Sequence, residues 1–292
     1  MSIKNLSITK VKLAFECPRL LYLSHYFGGV TMFYPPPNNK VSGIGNDFHS
    51  LADRCIQYAL KKPDLLEVLT QYRKPLDEEE INLAIGNKIY QNVFFPYLQT
   101  ARSNSPEKVK NLEYIWQGLT QLIKHWTELI IKNMEYCPVE KVIRKTFIAK
   151  EYKLSHTFSL PHGREQLIKG KLDSLIFDFQ HHRLCVVEYK TYHPVDPTAQ
   201  FAQVALYSYI LHKSQSIPID AQVFCVSPEF KQYIYSWQEL EKSIYGLIPH
   251  KLQQIQQWLA WQPDQFSPPP PTSQPDLCNR CPQQKRCRSF FR

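Results

Sequence analysis

The pattern of apolar and polar positions changes character near residue 137, with helical spacing before it and mostly sheet-like spacing after it. Residues 7 to 27 carry Leu13, Phe15, Leu20, Leu21 and Tyr22 as a helix that Pro18 interrupts. A loop rich in Gly, Pro and Asn follows, "FGGVTMFYPPPNNKVSGIG". "NDFHSLADRCIQYALKK" predicts a helix over 46–62 with Asn46 or Asp47 as N-cap. From Asp77 to Met134 the spacing stays helical with mixed charge, as in an inserted helical subdomain. Beyond Cys137, "VEKVIRKTFIAKEYKLS" and "REQLIKGKLDSLIFDFQ" alternate apolar and polar residues, which predicts half-buried strands. "HHR" turns the chain into "LCVVEYKTY", apolar enough for the centre of a sheet. A helix over "DPTAQFAQVALYSYILHK", begun by Asp196 or Thr198, comes next. A buried strand "AQVFCVS", an edge strand "QYIYSW" and one long helix over about 237–260 complete the order. That order predicts an α/β core with a helical elaboration. The expected parts are 1–62, a helical insertion over 63–137, a core over 138–262, and a Pro-rich spacer with cysteines over 263–292.

Composition narrows the partners. A chain of 292 residues with 43% hydrophobic and 13% aromatic positions can bury a real core. Its net charge of +9 suits a surface that meets phosphates and also suits an ordinary basic protein. No apolar run is long enough to span a bilayer, and the first residues lack the apolar core of a secretory signal, so the expected place is the cytoplasm, away from membranes. Eight cysteines in that compartment are expected to be reduced. Cys55, Cys137, Cys185 and Cys225 sit singly in apolar surroundings and read as small buried hydrophobes.

The chemistry concentrates in "GKLDSLIFDFQHHRLCVVEYKT". Asp173 closes one predicted strand, and Glu188 and Lys190 share a face of the next because side chains two apart on a strand point the same way. A hairpin would bring Asp173 beside Glu188. Two converging carboxylates suit Mg²⁺ or Mn²⁺, and the lysine could orient or deprotonate a water or neutralise charge on a phosphodiester. Alone, the pattern could equally be a Glu–Lys pair meeting solvent. The stretch "IKGKLDSLIF…CVVEYKT" resembles the catalytic hairpin of the PD-(D/E)XK nuclease superfamily in its RecB-like branch. Gln203 and Tyr207 resemble that branch's Q-x3-Y motif, and "GIGNDFHSLAD" resembles its helical motif, with His49 and, as a partial match, Asp53. The resemblance implies a restriction-endonuclease-like core, a central mixed sheet flanked by helices. It further implies that His49, Asp173, Glu188 and the Tyr189 carbonyl hold the cation, that Lys190 works on the nucleophilic water, and that Gln203 and Tyr207 bind the substrate backbone. Leu172 stands where the superfamily's name has Pro, which the RecB-like branch admits. His162, His181, His182 and His193 match no motif, although His193 is near Lys190 in sequence.

Three more cysteines, Cys278, Cys281 and Cys287, stand at C-x2-C-x5-C near the other end of the chain from Cys17 in "ECPRL". This one-plus-three order resembles the iron–sulfur nucleases, most closely the CRISPR-associated type, in which four thiolates hold a [4Fe–4S] cluster that clasps the two ends together. A zinc ion could use the same sulfurs. The resemblance implies a Mg- or Mn-dependent DNA exonuclease that prefers single strands. The alternative is a non-catalytic or partner-dependent DNA-binding subunit of a CRISPR adaptation or recombination complex. The chain lacks a Walker A glycine loop, so a helicase or an integrase would be a separate protein partner.

Overall fold

A computed structural model of the chain describes residues 5–34, 44–71, 77–104, 109–193, 196–226 and 229–291. The chain enters through a short strand, β1 (Asn5–Ser7), and Ser7 caps α1 (Ile8–Glu16) by accepting from the Lys10 N–H. Cys17 is extended, and Pro18 opens α2 (Pro18–Phe27), where a missing N–H costs nothing. The interruption expected at Pro18 is therefore a joint between two helices. Of the expected loop after it, 35–43 lie outside the described residues. The helix α3 (Gly45–Lys61) has Ile44 at its N-cap, two or three residues earlier than the predicted caps; Asp47 sits inside its first turn, where negative charge favours the helix dipole. Next come α4 (Asp64–Gln71), α5 (Glu78–Ile89) capped by Asp77, a π-helical turn at Tyr90–Phe94, α6 (Phe95–Asn104) and α7 (Val109–Asn133).

One expected strand is a helix. Residues 139–146 form α8 (Val139–Thr146), which buries Val142, Ile143 and Thr146 on one side and exposes Glu140, Lys141, Arg144 and Lys145 on the other. The apolar pair at 142–143 fits a helical face and breaks strict alternation. The strands follow as β2 (Phe147–Lys150), β3 (Lys153–Ser159), β4 (Glu165–Lys171), β5 (Ser174–Asp178) and β6 (Arg183–Lys190). Then α9 (Pro197–Gln215), capped by Asp196, leads to β7 (Ile219–Cys225) and β8 (Lys231–Tyr235). The long helix expected over 237–260 is two, α10 (Trp237–Gly246) and α11 (Ile248–Ala260). Pro249 has no N–H to continue the α10 ladder, so the axis breaks at Leu247. Two short helices, α12 (Pro275–Asn279) and α13 (Gln284–Phe290), carry Cys278 and Cys287, and Cys281 lies in the turn between them.

The strands form two sheets, one of five strands in the order β2-β5-β6-β7-β8 and one of three in the order β1-β4-β3. In the larger sheet only the β6–β7 pair is parallel, and α9 makes its crossover; β8 is an edge, as expected. The segment "REQLIKGKLDSLIFDFQ" is thus not one strand. It leaves the small sheet after Lys171 and joins the large one at Ser174, with Leu172 and Asp173 at the crossing point. Gly170 is needed there, because an added Cβ would lie 2.6 Å from Ile8 Cδ1 and 2.8 Å from Tyr207 Cε1.

β6 is buried on both faces. Cys185, Val187 and Tyr189 pack with α3, α5, α7 and α8, whereas Val186 packs with α1, α9, α10 and α11. The helical block thus shares a core with the sheet, and by alternation Glu188 and Lys190 emerge on the α9 side. Among the described residues no helix is long and apolar enough to cross a membrane.

Candidate active site

The β5–β6 register pairs Ser174 with Val187, which sets Asp173 beside Glu188. The Asp173 Oδ2 accepts from the Tyr189 N–H at 2.9 Å, and its Oδ1 lies 3.2 Å from His49 Nδ1 on α3. Glu188 Oε1 accepts from Lys190 Nζ at 2.6 Å and from Gln203 Nε2 at 2.8 Å. Gln203 is itself fixed by Gln200, whose Nε2 donates to Gln203 Oε1 at 3.0 Å. Tyr207 donates its hydroxyl to the Lys171 carbonyl at 2.9 Å, tying α9 to the end of β4. Among the described residues, Glu188 Oε2 is buried without a partner.

Exposure falls across the site from 34% for the His49 side chain through 21% for Asp173 to 6% for Glu188. Burial, reinforced by the Asp173 charge, raises the Glu188 pKa. Burial works against the Lys190 ammonium, but the Glu188 and Asp173 carboxylates outweigh it and hold its pKa above the usual lysine value. Burial also works against charged His49, and the Asp173 hydrogen bond and charge outweigh that too, so its pKa is raised. In this charge balance Lys190 carries positive charge and donates to Glu188.

The predicted residues His49, Asp173, Glu188, Tyr189 and Lys190 are brought together. Gln203 and Tyr207 are there as well, both buried and bonded within the protein. Asp53 pairs with Lys150 at 2.9 Å and accepts from Gln57, so its partners lie one helical turn beyond His49. Lys150 and Gln200 belong to no motif and escaped the sequence reading; the i, i+3 spacing of Gln200 and Gln203 was a usable signal for the second. His181 bonds Asp178 at the β5–β6 turn, and His182 takes positive φ there.

Cys17, Cys278, Cys281 and Cys287 line one cavity of about 130 Å³ between α2, α12 and α13. Burial and then the other three thiols push the Cys17 pKa up to about 11. Burial also raises Cys281 and Cys287, while Arg19 pulls Cys287 the other way. The walls are bonded across the chain's two ends. Arg19 Nε donates to Pro269 O at 3.0 Å, Arg280 Nε to Tyr34 O at 2.6 Å, and Gln283 Nε2 to Gly28 O at 3.0 Å. Cys55, Cys137, Cys185 and Cys225 are buried free thiols elsewhere.

The family model of the PD-(D/E)XK nuclease superfamily matches residues 5–288. The chain belongs to this superfamily. Among solved structures, the protein SSO0001 is similar at 14% identity over 52% of this chain and 71% of its own, with a TM-score of 0.25. A candidate exonuclease from Eubacterium rectale is similar at 12% identity over 71% of this chain and 80% of its own, with a TM-score of 0.29. No curated protein matches the chain. The PD-(D/E)XK site offers two carboxylates and an imidazole, with the unpartnered Glu188 Oε2 as a ready acceptor, and that donor chemistry fits a hard cation. Four thiols around one cavity fit a soft metal or an iron–sulfur cluster. Among the described residues no group of three or more His, Cys, Asp or Glu side chains stands close enough together to hold a metal ion as placed.

Proposed function

We propose that this chain is a Mg²⁺- or Mn²⁺-dependent DNA exonuclease that prefers single strands. The observation that carries the reading is the buried Glu188–Lys190 pair, set beside the His49–Asp173 contact in a PD-(D/E)XK chain. A glutamate and a lysine this deep in a sheet cost stability unless they pair or do work. Here they pair, and still leave one carboxylate oxygen free.

His49, Asp173, Glu188 and the Tyr189 carbonyl would hold the cation. When bound, it supplies Lewis-acid polarisation of the phosphoryl oxygen and a lowered pKa for an attacking water. The chain's own residues do the rest. Lys190, an ammonium, donates to a phosphate oxygen and offsets the negative charge that develops in the transition state. Gln203 holds the Glu188 carboxylate in one rotamer, and Gln200 holds Gln203. Tyr207 locks the β4 end that delivers Asp173. Cys17, Cys278, Cys281 and Cys287 would hold a [4Fe–4S] cluster, with zinc as the other occupant, tying the N- and C-terminal segments together. The motif order resembles that of the RecB-like iron–sulfur branch, most closely its CRISPR-associated type, and a helicase or integrase partner belongs to the same reading.

The test is degradation of end-labelled single-stranded and duplex DNA with Mn²⁺, by the wild-type chain and by Asp173→Ala and Lys190→Ala. Rapid loss of the single strand by wild type alone is expected. Equal rates for all three proteins would overturn the assignment. Iron and sulfide analysis of anaerobically purified protein tests the cluster; a colourless protein with one zinc would replace it.

A further inference from the structure

A groove at the far end of α9 has no part in the site above. It is an open groove of about 450 Å³ between β3, α9 and the α10–α11 corner. Buried Tyr209 forms its floor. Phe158 stacks on that ring at 5.4 Å and 25°, and His156 and Tyr245 meet it edge-on at 5.6 and 6.0 Å. Lys213 Nζ stands 5.2 Å over the same ring. Thr157 and Ser159 lie on the same strand, and among the described residues no carboxylate lines the groove. Tyr245 is 58% exposed and so presents an open aromatic face. Burial, then Lys213, lowers the His156 pKa, which keeps a neutral imidazole available as both donor and acceptor.

Two rulers measure the groove's distance from the carboxylates. Along α9, Lys213 is ten residues past Gln203, about 15 Å at helical rise. Along β4, His156 pairs with Ile168 and Phe158 with Gln166, three and five residues before Lys171, or about 10–17 Å. The two agree. At ~3.4 Å per nucleotide of a stacked strand, that gap holds about three to five nucleotides.

We propose that this groove is a second nucleotide subsite, which stacks a base on Tyr245 and holds a phosphate on Lys213 of the single strand whose end is cleaved at Asp173 and Glu188. The chemistry is that of sequence-tolerant single-strand binding, an aromatic platform beside a cation. This inference rests on the nuclease reading.

Its test uses the full chain carrying Lys190→Ala, so that DNA stays intact, titrated with fluorescent oligothymidylates of about 3 and about 12 nucleotides. Added Tyr245→Ala or Lys213→Ala should weaken the longer oligomer roughly tenfold and leave the shorter one unchanged. Tyr245→Phe, which keeps the ring, should bind like its parent. Lys213→Ala should also lower the salt slope by about 0.7. Unchanged affinity for the longer oligomer, or equal losses at both lengths, would overturn the subsite. If that happens while the wild-type chain still cleaves DNA, the nuclease reading stands. A parent that binds neither oligomer, with a wild-type chain that cleaves neither, would remove both.

Discussion

The carboxylate site and the cysteine cavity solve opposite problems. At the first, Asp173, Glu188, Lys190, His49 and Gln203 already hold one another through short contacts, and opposite charges offset burial. At the second, the walls are bonded across the two ends of the chain, but burial, and after it the neighbouring thiols, raise the Cys17 and Cys281 pKa values. Gathering four thiolates there requires a compensating positive charge. The first site is therefore organised by the fold, whereas the second would gain much of its order from what it binds.

Breaking each site separately tests that contrast. Asp173→Ala should cut DNA cleavage about 10³-fold, near 4 kcal/mol in barrier, while the absorbance of the cysteine site stays unchanged. Cys281→Ser should do the reverse first. Iron content should fall to background, and thermal or urea denaturation should show a loss of about 5 kcal/mol, the scale of unclasping a long loop. Retained iron in Cys281→Ser, or lost iron in Asp173→Ala, would show the two regions to be one coupled unit.

Gln203→Ala sharpens the contrast further. It removes one of two donors to a buried carboxylate, so cleavage should drop about tenfold and stability by about 1–2 kcal/mol. Gln203→Glu should do worse on both measures, because it sets a second carboxylate against Glu188. If Gln203→Ala cleaved normally, the pre-assembly of the first site would be unimportant.

The smallest effect lies away from both sites. Burial, then Lys132, pushes the His125 pKa down to about 4, and its ring packs against Phe224 at 4.7 Å. The unfolded chain takes up that proton below about 6.5 and the folded chain only below about 4, so stability falls as pH drops between those values. The slope for one proton cannot exceed about 1.4 kcal/mol per pH unit. His125→Phe should flatten a melting-temperature series across that window and leave pH 8 unaffected.

How much of this was legible from residues alone depended on distance along the chain. The hairpin carrying Asp173, Glu188 and Lys190 is local, and a two-residue period sets its faces. His49 was reachable because i, i+4 spacing on α3 is equally local. The three-stranded sheet was not, since β1 has three residues and pairs with β4 more than 150 positions away. The helix over 139–146 was misread because its two adjacent apolar residues sit in an otherwise alternating run. Gln203 and Tyr207 were placed on the correct helix face, but only coordinates reveal that Glu188 and the Lys171 carbonyl occupy their polar atoms.

The double burial of β6 carries one last implication. A slip of a single residue in its pairing would drive Glu188 and Lys190 into the apolar layer beneath α3 and turn Tyr189 toward α9. Such a molecule would lose its fold along with its chemistry. Catalytic competence is therefore a built-in gauge of correct strand alignment: turnover per mole of natively folded chain should stay constant across preparations of differing quality.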